Sequence, residues 1–249
     1  FKYAKDLNAD ALITGHYVSR IQKNGHANMY RAKDQNRDQS YFLFSTTQEQ
    51  LDYLRFPLGE VDKSETRAIA EKLRLNVAAK PDSQDICFVP DGDYAAVVSK
   101  IRPGAIDPGD IVDMDGNIIG SHDGIINFTI GQRRGIGIGG TGEPLYVVRI
   151  EPDARRIIVG PASAMGRAVV SLGGVNWLGD AADGPQNVTV KVRSTQEPVP
   201  ASLELGGGST AVVTLNAPER AVAPGQACVF YSKDKFGDKV LGGGWISKS

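Results

Sequence analysis

Cysteine and histidine are scarce in these 249 residues, with two of one and three of the other. Cys87 and Cys228 are too far apart in sequence for a CxxC clip, and His16, His26 and His122 complete no zinc set by spacing. No structural metal is expected. A disulfide between the two cysteines is not expected either, because the chain carries no export signal. Also missing is any apolar run near the roughly eighteen residues of a membrane span, so a cytoplasmic protein without a membrane partner is expected. The opening FKYAKDLNAD has no initiating Met, no basic stretch and no apolar stretch of a signal peptide, and reads as a chain whose beginning lies further upstream. A net charge of −1 supplies no overall attraction to nucleic acid, which leaves only a local basic surface for such a role.

Two or three compact units fit this length. Phe1, Ala4 and Leu7 recur at helical spacing, and ADALITGHY reads as a short buried parallel strand ending in Gly15. Ligands of doubly wound sheets sit beyond such strand ends, which makes Gly15 and His16 candidates, although His16 by itself reads more readily as a capped, ordinary surface histidine. DKSETRAIAEKLRL predicts a helix, with Asp62 and Glu65 spaced as a capping box and Ala68, Ile69 and Leu73 on one face. ICFV reads as a strand and residues 93–101 as a short helix. After Pro103 glycine, proline and alternating apolar residues take over, and the expected class changes from α/β to β. Asp115-Gly116 marks a hairpin turn. NVTVKVRS puts Val188, Val190 and Val192 on one face and Thr189, Lys191 and Arg193 on the other, and ACVFY reads as a second strand of a small closed barrel.

Four stretches could carry chemistry. The glycines of IGQRRGIGIGG read better as a hairpin loop than as a dinucleotide cradle, since a strand-like run rather than a helix follows, while Arg133 and Arg134 suit either phosphodiester contacts or a solvated turn. Arg37, Asp38 and Gln39 could meet a base edge or form an ordinary turn, and Tyr41, Phe42 and Phe44 after them read as core. Cys87, in KPDSQDICFVP, is either a buried strand residue or a reactive thiol with Lys80 as its one sequence-near cation, Asp82 and Asp85 opposing its ionisation. Cys228, inside QACVFY, reads as core.

The order ITGHY, RDQSYFL, SQDICFV, TIGQRRGIGIGG, APGQACVFY and LGGGWI resembles the tRNA-specific 2-thiouridylases, from residue 1 to the end of the chain. The resemblance implies three parts: residues 1–102 as the C-terminal part of an adenine-nucleotide α-hydrolase-like (PP-loop) ATP pyrophosphatase domain, 103–163 as a small β-rich central domain that helps hold tRNA, and 164–249 as a C-terminal β-barrel. It implies 2-thiolation of the wobble uridine: ATP, with Mg2+, adenylates the base and a cysteine persulfide supplies sulfur. Cys87 matches the persulfide carrier, Gly15 the ATP site, and His16, Arg37, Asp38, Gln39, Arg193, Ser194 and Gln226 positions that touch tRNA around a base flipped from its stack. Implied partners are tRNA of the Lys, Glu and Gln isoacceptors and a sulfur donor, either a cysteine desulfurase or a relay protein. The SGGxDS loop that grips ATP phosphates, and the first cysteine that forms a disulfide with the carrier during sulfur release, are absent here and expected upstream of Phe1, within roughly a hundred residues or more. The alternatives are a non-catalytic tRNA-binding fragment and a translation-factor-like barrel module without sulfur chemistry. If residues 1–90 are the trailing part of a sheet without its leading strands, they should be less stable than the barrel.

Overall fold

A computed structural model describes residues 1–23, 25–76, 78, 97, 100, 106–138, 142–180 and 184–248. The contacts divide into two compact units: Phe1–Lys80 with Ala168–Ala217 and Pro224–Ser249, and Pro81–Arg167 with Pro218–Ala223.

The first unit is built on a six-stranded barrel of β9 (Arg167–Trp177), β10 (Gln186–Lys191), β11 (Val199–Gly206), β12 (Thr210–Glu219), β13 (Ala227–Asp234) and β14 (Gly237–Ile246), closed where β13 pairs with β14. Alternation in β11 and β12 explains why these segments are strands. Ala201, Leu203, Ala211, Val213 and Leu215 are buried, while Val212 between them is exposed. In β13 the alternation disappears, and Ala227 through Tyr231 are all buried. The second face of this strand is covered by the N-terminal segment: Ala227, Val229 and Tyr231 pack with Val18, Met29, Tyr41, Phe44, Leu51 and Phe56 in one core. Paired residues share a face, so Val190 opposite Phe230 lines the barrel interior, and Lys191 opposite Val229 lies under the N-terminal segment.

That packing places the segment after residue 16 in one core with the barrel. The antiparallel hairpin β2 (Val18–Lys23) and β3 (His26–Arg31) joins the same sheet through Tyr30 opposite Lys239 of β14. Only β1 (Leu12–Ile13), paired in parallel with β4 (Leu54–Arg55), has the expected α/β character among the described residues. The helices are α1 (Lys2–Asp6), α2 (Gln48–Tyr53) and α3 (Lys63–Lys72). The capping box expected at α3 is not formed. Asp62 occupies the N-cap without a side-chain cap bond, and the box sits instead at α2, between Thr47 and Gln50. Ile69 and Leu73 are exposed. The segment ICFV, and residues 93–101 save Val97 and Lys100, lie outside the described residues.

The second unit holds a four-stranded sheet of β5 (Gly109–Val112), β6 (Ile118–His122), β7 (Tyr146–Glu151) and β8 (Arg156–Gly160), in the order β6-β5-β8-β7 with β5 and β8 parallel. The Asp115-Gly116 turn forms as expected, with Asp113 Oδ1 accepting from the backbone N–H of Asp115 and Asn117, both at 2.9 Å. Ile111, Ile136, Val147, Ile157 and Val159 form its core. His122 belongs to this packing: Nδ1 accepts from Gly124 N–H at 3.0 Å, so Nε2 carries the proton shared with the Arg155 carbonyl at 3.1 Å.

The LGGGWI run is where β14 exchanges partners, facing β3 at Lys239 and β9 from Gly242 onward. Asn176 clamps this place by donating from Nδ2 to the carbonyls of Phe44 (2.8 Å) and Thr46 (2.9 Å). A Cβ on Gly242, at φ +123°, would stand 2.0 Å from the Asn176 carbonyl oxygen, and one on Gly243 would stand 2.8 Å from the Phe44 ring. Gly242→Ala is therefore expected to lower stability by roughly 2–4 kcal/mol, whereas Gly207→Ala, on an open turn, should change it by less than about 1 kcal/mol. Urea denaturation of both variants tests this.

Candidate nucleic-acid interface

Eight of the nine candidate site residues fall in the first unit, and the local hydrogen bonding explains how most of them are held. Thr14 N–H donates to Arg55 O at 3.0 Å, which fixes the end of β1. Gly15 follows with its backbone exposed, and His16 Nδ1 meets Thr14 Oγ1 at 2.7 Å. The next residue is joined to the RDQ loop twice: Tyr17 N–H donates to Gln39 Oε1, and Gln39 N–H donates to Tyr17 O, both at 2.9 Å. ITGHY and RDQ therefore form one surface. Gln39 spends its acceptor oxygen on this junction and keeps its Nε2 as the end that can donate to a ligand.

Asp38 does not face solvent. Its side chain is 1% exposed and accepts from Arg31 Nε (3.1 Å), Ser40 Oγ (2.8 Å) and the backbone N–H of Ala32 and Ser40 (both 3.1 Å). It shapes the loop that carries Arg37, an exposed residue, and Gln39. Arg31 is itself 5% exposed and also reaches Glu197 at 3.1 Å and Asp238 at 3.3 Å, which ties the loop to the turn after β10 and to β14. Burial works against the Arg31 charge, and its bonds to Glu197 and Asp38 more than offset that, holding the guanidinium above its ordinary range.

Tyr41 makes the second link. Its hydroxyl donates to Ala227 O at 2.9 Å, beside Gln226, and Arg193 lies close enough to act on it electrostatically. Burial pushes the Tyr41 phenol up to about 12. The Arg193-Ser194 turn is braced from within: Gln196 Oε1 accepts from Val192 N–H at 2.9 Å and Gln196 N–H donates to Arg193 O at 3.3 Å. Ser194 and Gln226 are exposed. Gln226 is held by its own backbone, accepting from Ile246 N–H at 2.8 Å.

Several members of this cluster were not legible beforehand. Arg31 and Gln196 carry no sequence signal beyond ordinary polarity. Lys191, on the strand face that alternation assigns to solvent, is 4% exposed, its Nζ 5.9 Å from the centre of the Tyr41 ring, and burial lowers its pKa. Phe42 departs from expectation in the other direction. Tyr41 and Phe44 are core, but Phe42 is 61% exposed beside the RDQ loop, where an aromatic face can stack on a base. Arg133 and Arg134 are exposed on a glycine-rich loop of the second unit, whose Gly131 and Gln132 pair with Val147 as a hairpin would. Cys228 is fully buried and burial pushes its thiol well above the usual range, while Cys87 lies outside the described residues. Among the described residues no group of three or more metal-ligating side chains assembles, and no helix is long and apolar enough to cross a membrane.

Comparison with known proteins matches residues 1–91 to the family described as tRNA methyl transferase HUP domain, 97–161 to the tRNA methyl transferase PRC-barrel domain, and 169–246 to the aminomethyltransferase beta-barrel domain. Among similar curated proteins, the tRNA-specific 2-thiouridylase MnmA of Paracoccus denitrificans is 59% identical over 98% of this chain and 63% of its own length. Those of Dinoroseobacter shibae and Rhodospirillum centenum are 59% and 58% identical over 98% and 99% of this chain, and 64% of each relative. The chain thus spans a little under two thirds of these relatives.

Two outcomes are expected from the buried cluster. Arg31→Met, which strands Asp38 without its cation, should cost on the order of 3–5 kcal/mol in chemical denaturation. Lys33→Met, at a half-exposed pair with Asp62, should cost less than about 1 kcal/mol. Because the folded-state pKa of Tyr41 lies above its ordinary value of 10.0, its contribution to stability is complete below that pH and is lost as pH rises toward about 12. Tyr41→Phe should flatten this alkaline loss, read from thermal midpoints between pH 9 and 12.

Proposed function

The chain belongs to the tRNA-specific 2-thiouridylase family, and on that premise we propose that the whole protein is an ATP-dependent tRNA-uridine 2-sulfurtransferase acting at the wobble position. The observation that carries the reading is the convergence of ITGHY, RDQ, KVRS and PGQA, stretches from opposite ends of the sequence, through Tyr17, Arg31 and Tyr41. A base drawn out of its stack would meet Arg37, the Gln39 amide and the ring of Phe42, with Arg193, Ser194, Gln226 and His16 holding the surrounding backbone. Asp38 would serve through the loop that it shapes. Gly15 would lie against ATP, which brings Mg2+, in a PP-loop pyrophosphatase domain whose C-terminal part is residues 1–102; 103–163 would be the central domain and 164–249 the barrel domain.

Attack of the uridine O2 on ATP releases pyrophosphate and turns a poor leaving oxygen into a good one. The terminal sulfur of a persulfide on Cys87 then bonds to C2 and AMP departs. Attack of a second cysteine's thiolate on Cys87 Sγ breaks the S–S bond, leaving sulfur on the base and a disulfide between the cysteines. Cys228 does not fit the second role, since its thiol is buried in the barrel with a raised pKa. The substrates would be the Lys, Glu and Gln isoacceptors in the cytoplasm, and the sulfur would come from a cysteine desulfurase or a relay protein. The 249 residues by themselves, which contain no SGGxDS run, would bind tRNA without thiolating it.

Full-length enzyme incubated with a cysteine desulfurase and cysteine is expected to gain one sulfur, about 32 Da, at Cys87 and none at Cys228. Cys87→Ser should abolish 2-thiouridine while leaving tRNA affinity within about threefold of the parent. Thiolation that survives this substitution would remove Cys87 from the chemistry and leave the tRNA-binding reading alone.

A further inference from the structure

The second unit carries a cavity of about 230 Å3 on the face of its sheet turned away from the Ile/Val core. Val112, Ile158, Met165 and Val222, all buried, form its floor. Arg149, Arg156 and Arg167 stand on its rim, with Glu151 and Asp113. Arg149 is there because of a break in strand register. Val147 pairs with Val159 in the core, but the next pair is Arg149 with Ile158, so Val148 is an extra residue in β7. Without this bulge, strict alternation from Val147 would turn Arg149 inward among Ile111 and Ile157. With it, Arg149 joins Ile158 on the cavity face, and Glu151 joins its partner Arg156.

Glu151 then orders the two guanidiniums. Its Oε2 accepts from Arg156 Nε (3.1 Å) and the terminal nitrogen (2.7 Å), and its Oε1 pairs with Arg149 at 2.9 Å. The arginine side chains remain 62% and 44% exposed, so guanidinium N–H edges still face solvent. Asp113 is occupied with its own turn, its bonds to Asn117 holding it below the usual carboxylate range. Arg149 and Arg156 share the single carboxylate of Glu151, which leaves this pair with a net positive charge beside an apolar floor.

We propose that this cavity receives one unpaired nucleotide of the bound tRNA, its base on the apolar floor and its phosphate on Arg149 and Arg156. The cavity is smaller than the roughly 300–1,000 Å3 of pockets that enclose whole small ligands, which suits a base entering while its backbone stays outside on the rim. The inference rests on the reading of this chain as tRNA-binding and adds a subsite in the second unit.

The test uses full-length protein with p-benzoylphenylalanine in place of Met114, at the lip of the cavity. Irradiation with tRNA is expected to crosslink a single nucleotide, and Arg149→Gln with Arg156→Gln should abolish that crosslink. In the parent background the same double substitution should weaken tRNA binding roughly tenfold and reduce the slope of log K against log salt by about one, with an unchanged thermal midpoint. If the parent binds tRNA but neither the crosslink nor these changes appear, the subsite is overturned and the proposed function stands. A crosslink to millimolar AMP, with none to tRNA that is bound, would overturn tRNA as the source of the nucleotide. A parent that fails to bind tRNA would overturn both readings.

Discussion

A single guanidinium organises the proposed tRNA face. Arg31 sits among Asp38, Glu197 and Asp238, which come from a loop, a turn and a strand. A charge this deeply buried is tolerated only when its partners are fixed, and fixing them aligns three segments of the chain. Ser40 and Tyr231 extend the network at 3.2 Å into the shared core, so the loop that presents Arg37 and Gln39 rests on the same residues that join the N-terminal segment to the barrel. The proposed tRNA face and the core are not separable here.

Much of the fold was legible because alternation is a local property. The β character after Pro103, the Asp115-Gly116 turn and the closed barrel follow from period-two burial and turn chemistry, and the structure contains all three. Lys191 shows where such reasoning ends: its strand and face were correct, but a face reads as solvent only until another segment covers it. Covering is a long-range event, and residues 41–56 lie far from 191 in sequence. Phe42 fails for the reciprocal reason, since an aromatic between two core aromatics looks buried until the chain turns it outward. The Thr47 and Gln50 box was visible in principle, but the Asp62 and Glu65 spacing matched the same pattern without forming it.

The candidate site was reached by a different route. Composition and spacing left Arg37, Asp38, Gln39 and His16 open between ordinary turns and function, and only the order of motifs along the whole chain favoured function. The structure adds a physical division among those residues that no motif contains: Asp38 is an internal brace, while Arg37, Ser194 and Gln226 are at the surface. The cavity in the second unit had no signal at all, because the β7 bulge that aims Arg149 depends on the register of a partner strand.

Pro218–Ala223, the last two residues of β12 and the stretch that follows it, belongs to the second unit, where Val222 is part of the cavity floor. The chain therefore passes between the units more than once on its way to the C-terminus, and the middle segment is not a cassette bounded by a single pair of cuts. A chimaera that exchanges residues 97–161 with those of a relative would inherit a floor completed by the host's own loop. Graft and loop would have to be transplanted together, or diverge together over evolutionary time.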